Sequence, residues 1–218
     1  GKQYDLFNTT GSTDKGHGIN SIYVENDAGM NDSTLPAVRL VNGAKLPSAG
    51  LTVATPLPLY VMGDYNVTTD GSHFSRNLGD TKYTVPAALL GDAITVLSSN
   101  WKDSYNASTS LGSRNPLNTT LNAAILEGIV PSDGSHYSGG VENVLRLLEN
   151  WSGSTTLTYN GSIVVMFPSL YATSPWSGSY YGVPTRRWGF DTNFQDSSKL
   201  PPLTPQLRAT VRGAYVTK

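Results

Sequence analysis

Short apolar runs alternate with polar corners along most of this chain, most clearly in Leu51-Thr-Val-Ala-Thr-Pro-Leu-Pro-Leu-Tyr-Val-Met-Gly-Asp-Tyr-Asn66. Two runs of strand-forming residues meet there at a Pro-x-Pro bend and end in Gly63-Asp64, which reads as strand, bend, strand and turn. The same ending recurs in Ala88-Leu-Leu-Gly-Asp-Ala-Ile-Thr-Val-Leu97, where Gly91-Asp92 interrupts apolar residues. Ala37-Val-Arg-Leu-Val41, Asn42-Gly43 and Ala44-Lys-Leu46 predict a strand, a tight turn and a second short strand. Residues 84–99 and 155–167 continue the β character. The strongest strand prediction falls on Thr155–Tyr159 and Ser162–Phe167, which flank the turn dipeptide Asn160-Gly161.

Two stretches break this pattern. Val141, Val144, Leu145, Leu148 and Trp151 recur at helical spacing, predicting an amphipathic helix over residues 140–151 that covers a sheet face. Residues 120–130 suit either helix or strand, and the reading leans to strand or coil. Residues 1–34 are polar and form a cap or an edge. Residues 68–83, 101–118 and 131–140 read as loops. From 168 to 218 the prolines at 168, 175, 184, 201, 202 and 205 exclude a regular sheet centre, before a strand-like 207–216 that closes one end of the core.

Apolar strands separated by Asn- and Gly-bearing corners, without clean two-residue alternation, favour parallel strands whose side chains point inward on several faces. The expected fold is therefore mostly β, a right-handed parallel β-helix (solenoid) with one flanking α-helix and long loops, over a single domain spanning 1–218. A β-sandwich built from the Asn-Gly hairpins is the alternative.

Composition narrows the function. Charged residues make up 14% of the chain against abundant Gly, Ser, Thr and Asn, a balance found on extracellular β-rich proteins. The net charge is −1 and the 15 basic residues are scattered, so no nucleic-acid partner is expected. With no cysteine, disulfides, zinc–thiolate sites and thiol nucleophiles are excluded. No apolar run reaches the length of a membrane span, and Gly1-Lys-Gln does not begin a signal peptide, so the chain reads as a mature protein or an excised domain. No Gly-rich loop joins a strand to a helix, and no cofactor is expected.

Candidate chemistry rests on carboxylates and aromatic rings. Strands stack about 4.8 Å apart, so Asp64 and Asp92 on neighbouring coils would fall within the spacing of a glycosidase carboxyl pair; each Asp could equally cap its own turn. Asp70-Gly-Ser-His-Phe-Ser75 and Asp133-Gly-Ser-His-Tyr-Ser138 form an imperfect repeat, either an Asp–His acid–base or metal pair or two Asp-Gly turns. Glu142, at the start of the expected helix, can point into a cleft or join Glu149 on a solvated face; Glu127 stands alone. Tyr171, Trp176, Tyr180, Tyr181, Trp188, Phe190 and Phe194 fall within 24 residues, beside Arg186 and Arg187. Trp176, Tyr180, Tyr181, Trp188 and Arg187 suit a carbohydrate groove, and packing under a loop is the competing reading.

Gly50-Leu-Thr-Val-Ala-Thr-x-x-Pro-Leu-Tyr-Val-x-Gly-Asp-Tyr-Asn66, Ser138-Gly-Gly-Val-Glu-Asn143, Leu148-Glu-Asn-Trp151, Thr156-Leu-Thr-Tyr-Asn-Gly-Ser162, Trp188-x-Phe-Asp-Thr-Asn-Phe194 and Lys199-Leu-Pro-Pro202 together resemble the exported segments of bacterial pilus-assembly (PilX-like) proteins of planctomycete-like and related genomes. The resemblance covers roughly residues 36–212. It implies a surface or pilus-associated β-solenoid and supplies no catalytic residues. Two functions are expected: an extracellular or cell-surface bacterial domain that binds polysaccharide or another surface component, or a secreted glycoside hydrolase acting on a β-glucan or cellulose-like polymer through Asp64 and Asp92, with Asp70 or Glu142 as further acids.

Overall fold

The computed structural model describes residues 19–26, 35–130, 132, 144–173, 180–207 and 213. These residues are mostly β and build two sheets in which every strand pairing is parallel. The first sheet holds β1 (Ser21–Tyr23), β3 (Leu51–Ala54), β5 (Ala87–Gly91), β7 (Thr119–Ile129), β9 (Thr156–Pro168) and β10 (Thr185–Phe190), in that order. The second holds β2 (Val38–Val41), β4 (Leu59–Met62), β6 (Ile94–Leu97) and β8 (Arg146–Leu147).

Corner length forces this alternation. Only Asp92 and Ala93 separate β5 from β6, far too few residues to carry the chain back for parallel pairing in the same sheet. The chain therefore swings into the second sheet. Between β3 and β4 the prolines of Thr55–Pro58 make the same bend. From β1 to β7, each strand then pairs with the strand two places further along the chain.

Register stacks like on like. Val53, Leu89, Ile125 and Ile163 form one column of the first sheet, and Val61, Val96 and Leu147 one of the second. These columns belong to a single core, which Trp151, Tyr65 and Leu157 complete. Each fully buried Leu or Val contributes about 1.5–3 kcal/mol. Outside the two sheets, isolated parallel bridges join Lys45 to Thr68, Tyr65 to Leu121 and Asn150 to Gly182.

Strand expectations for 51–66, 84–99 and 120–130 agree with β3 to β7, and three expectations need correction. Residues 144–151 form bends and the short β8 in place of the expected helix, because Leu145, Leu147 and Trp151 are drawn into the core beside β6; residues 140–143 lie outside the described residues. Asn160-Gly161 is no turn. It lies inside the continuous β9, because Gly161 sits against the carbonyl of Ala123, where a Cβ would overlap it. At Asn42-Gly43 the chain does turn, Asn42 taking φ 58°, yet it proceeds to a parallel bridge at Lys45 and forms no hairpin. A sandwich of antiparallel hairpins is therefore not formed among the described residues. The strand-like 207–216 lies almost wholly outside them.

After β10 the chain doubles back. Two short 3-10 turns, Thr192–Gln195 and Ser197–Lys199, lead it away from β10. Thr81 donates to Asp191 at 3.1 Å and accepts from Asn193 at 2.9 Å. Thr52 of β3 donates to the Pro202 carbonyl at 2.6 Å. Residues 191–202 thus form a strap from β10 to β3.

Candidate functional site

The outward face of the second sheet gathers polar and aromatic side chains. Arg39, Tyr60, Thr95 and Arg146 are consecutive register partners on β2, β4, β6 and β8, so they form one column across that sheet. They point outward because Leu59, Val61, Ile94 and Val96, the alternate residues, face the core. Beside the column, Ala37, Arg39, Tyr60, Leu97 and Trp101 line a pocket of about 250 Å³.

The pocket has a charged rim. Arg39 donates to both carboxylate oxygens of Asp103, at 2.5 and 3.0 Å. That pairing raises the Arg39 pKa and, with a bond from the Trp101 side chain, lowers that of Asp103. Trp101 meets Tyr105 edge to face at 5.2 Å. Burial raises the Tyr60 pKa against the pull of Arg146, leaving its phenol a neutral hydrogen-bonding group. An aromatic wall beside a planar guanidinium–carboxylate pair can stack an apolar ring face and hydrogen-bond the hydroxyls around it.

Asp64 and Asp92 do not meet on one face. β4 and β6 are in register from Leu59 with Ile94 to Met62 with Leu97; Asp92 precedes the first pair and Asp64 follows the last. At least a strand's length separates them, roughly 13 Å at about 3.3 Å per residue and beyond the spacing of either glycosidase geometry. Asp64 accepts from Arg76 at 2.6 Å and from the Thr120 amide at 2.8 Å. Asp92, 2% exposed, accepts from the amides of Leu170, Tyr171 and Ala172 at 2.5, 3.1 and 3.1 Å. Both carboxylates hold backbone in place.

Asp70 opens an exposed turn, accepting from the amides of Ser72 and His73 and meeting His73 Nδ1 at 2.7 Å. Those bonds, the imidazole first, hold its pKa well below the usual range. His73 stacks on Tyr83. The matching Asp133 and His136 lie outside the described residues, as does Glu142. Among the described residues no group of three or more His, Asp or Glu side chains is placed to hold a metal.

Two buried glutamates carry little sequence signal. Glu127 is wholly buried on β7; its Oε2 accepts from the Ile94 amide at 2.7 Å and its Oε1 has no partner. Burial drives its pKa well above the ordinary value, with Arg146 opposing. Glu149, expected on a solvated helix face, is also buried, accepting from both the amide and the hydroxyl of Ser98. Its pKa is raised by the same cause.

The expected aromatic groove is divided. Trp176 lies outside the described residues. Tyr181 is buried in the core cluster, and Trp188 packs against that core, edge to face with Tyr159 at 6.0 Å. Tyr180 and Arg187 are exposed. Sequence reading missed the Tyr60–Trp101 pocket because its lining residues lie up to 64 positions apart and converge only through parallel stacking.

No protein family, curated protein or solved structure matches the chain.

Proposed function

We propose that this chain is an extracellular or cell-surface domain that binds polysaccharide in the Tyr60–Trp101 pocket, on a right-handed parallel β-solenoid. The observation that carries the binding reading is the pairing of an open aromatic wall with the bidentate Arg39–Asp103 rim. A sugar ring stacked on Trp101 would meet donors from Arg39 and acceptors from Asp103 at its edge. The solenoid reading rests on the two-residue corner before β6, on the alternation between sheets from β1 to β9 and on the bridges outside them. Right-handedness follows the near-universal rule for parallel crossovers. A surface role also agrees with the PilX-like sequence motifs.

Hydrolysis is the weaker reading, because Asp64 and Asp92 are spent on backbone amides at separate corners. The test is retention of the protein on a panel of insoluble polysaccharides, with reducing-end release assayed in parallel. Trp101→Ala should weaken retention about tenfold or more, equivalent to roughly 1.4 kcal/mol, while Trp188→Phe leaves it unchanged. Equal retention of wild type and Trp101→Ala would remove the pocket from consideration, and sugar release by the wild type would replace binding with hydrolysis.

A further inference from the structure

The chain contains two Asn-Gly dipeptides, Asn42-Gly43 and Asn160-Gly161. An asparagine before glycine is open to attack on its side-chain carbonyl by the glycine amide nitrogen, because glycine has no Cβ to hinder the approach. Whether the attack occurs depends on how firmly the fold holds the carboxamide and that nitrogen.

Asn160 is fully buried inside β9. Its Nδ2 donates to the Asn77 carbonyl at 3.1 Å and to Asn122 Oδ1 at 2.8 Å, and its Oδ1 accepts from the Gly79 amide at 2.7 Å. Gly161 lies between β7 and β10 and pairs with both. Ring closure there requires β9 to unfold locally. Asn42, by contrast, is exposed in the turn after β2, its φ of 58° in the left-handed region that asparagine tolerates. Among the described residues, neither its carboxamide nor the Gly43 amide has a hydrogen-bond partner.

We propose that Asn42 is a site of spontaneous modification in the folded protein, converting to aspartate and isoaspartate, and that isoaspartate there loosens the corner between β2 and the Lys45–Thr68 bridge. The Gly43 nitrogen, losing its proton to solvent base, bonds to Cγ of Asn42; the Cγ–Nδ2 bond breaks and ammonia leaves, closing a succinimide ring. Water then opens the ring. Attack at Cγ releases the Gly43 nitrogen and gives aspartate, whereas attack at the main-chain carbonyl leaves that nitrogen on Cγ and gives isoaspartate. Isoaspartate routes the backbone through the side-chain methylene and so lengthens it. The corner has no slack for this. Val41 is held in register with Met62 on one side. On the other, the Gly43 carbonyl accepts from the Asn66 amide at 2.8 Å, and the Ala44 carbonyl from the amides of Val67 and Thr68 at 2.8 and 3.1 Å.

The test is incubation of the full chain at neutral pH in heavy-oxygen water, folded and in urea, wild type against Asn42→Gln. Proteolysis, mass spectrometry and isoaspartyl methyltransferase labelling then locate the products. Position 42 is exposed, and circular dichroism verifies that the variant folds. In the folded wild type the peptide carrying Asn42 should take up heavy oxygen about tenfold or more faster than the peptide carrying Asn160, and in urea the two rates should converge. Amide exchange at Asn66, Val67 and Thr68 should quicken as isoaspartate accumulates in the wild type and stay constant in Asn42→Gln. A folded Asn42 that stays intact, equal folded rates at the two sites, or isoaspartate that leaves those amides unchanged would each overturn the proposal.

Discussion

Glu127 shows how one residue sets a pH response. Its carboxyl is buried and half satisfied, so its folded pKa stands well above the ordinary 4.5. In the unfolded chain it ionises above that value, whereas in the folded chain it keeps its proton. Its contribution to stability is therefore full below about pH 4.5 and is lost as pH rises toward the folded pKa. Glu149 acts in the same direction, and the lowered Asp70, Asp103 and Asp196 act only in the more acid range. Urea denaturation at pH 5 and 8 should show wild-type stability falling with pH and a shallower fall in Glu127→Gln. Parallel slopes in the two proteins would mean that Glu127 is ionised when folded.

Individual residues also explain what the sequence could not convey. Asn66, Asn122 and Asn160 form a buried chain of amides: Asn66 Nδ2 donates to the Asn122 carbonyl, Asn122 Nδ2 to the Asn66 carbonyl, and Asn160 Nδ2 to Asn122 Oδ1. In sequence, Asn160-Gly161 is a turn signal, since Asn and Gly both tolerate turn geometry. Here Asn160 turns its amide to its neighbour on β7 and the chain continues straight. Propensity describes a residue alone, whereas this ladder exists only once three distant segments are stacked.

Among elements, the corner at Asp92 does the most. Its carboxylate gathers three successive amides of residues 170–172, while its carbonyl accepts from Gly128 and from the Ser169 hydroxyl. The segment leaving β9 is thereby fastened to the start of β6. Asp92→Ala should leave three amides without an acceptor and cost about 2–3 kcal/mol, within the range for charge-assisted bonds. Amide exchange at Leu170, Tyr171 and Ala172 should accelerate selectively. Unchanged protection there would mean that other contacts fix the segment.

The β elements themselves were largely legible, because Pro-x-Pro and Gly-Asp punctuate short apolar runs at corners the chain does use. The expected helix was not: Val144, Leu145, Leu148 and Trp151 satisfy a 3.6-residue period, yet burial of Leu145, Leu147 and Trp151 beside β6 decides the outcome. Over so short a window the two periods share most of their positions. The pocket and the separation of Asp64 from Asp92 depend on which corner each residue occupies, and spacing along the chain does not encode that.

For the whole molecule, the strap of residues 191–202 ties β10 to β3, two strands that are not hydrogen-bonded neighbours in the first sheet. In a parallel sheet an inner strand is held on both sides, whereas an edge strand has one neighbour fewer. Thr81 anchors the strap at its β10 end, donating to Asp191 and accepting from Asn193. Thr81→Val should remove both bonds, cost about 1–2 kcal/mol and speed tryptic cleavage after Lys199 while the sheets stay folded. Cleavage at the wild-type rate would show that the strap is held by its other contacts.

The strap also acts as a ruler. From β10 to β3 it crosses four strand intervals, about 19 Å at roughly 4.8 Å each, and it is fixed at both ends. Adding or removing one strand between β3 and β10 would leave the strap an interval too short or too long. The number of strands between β3 and β10 is thus written into a segment that belongs to neither sheet.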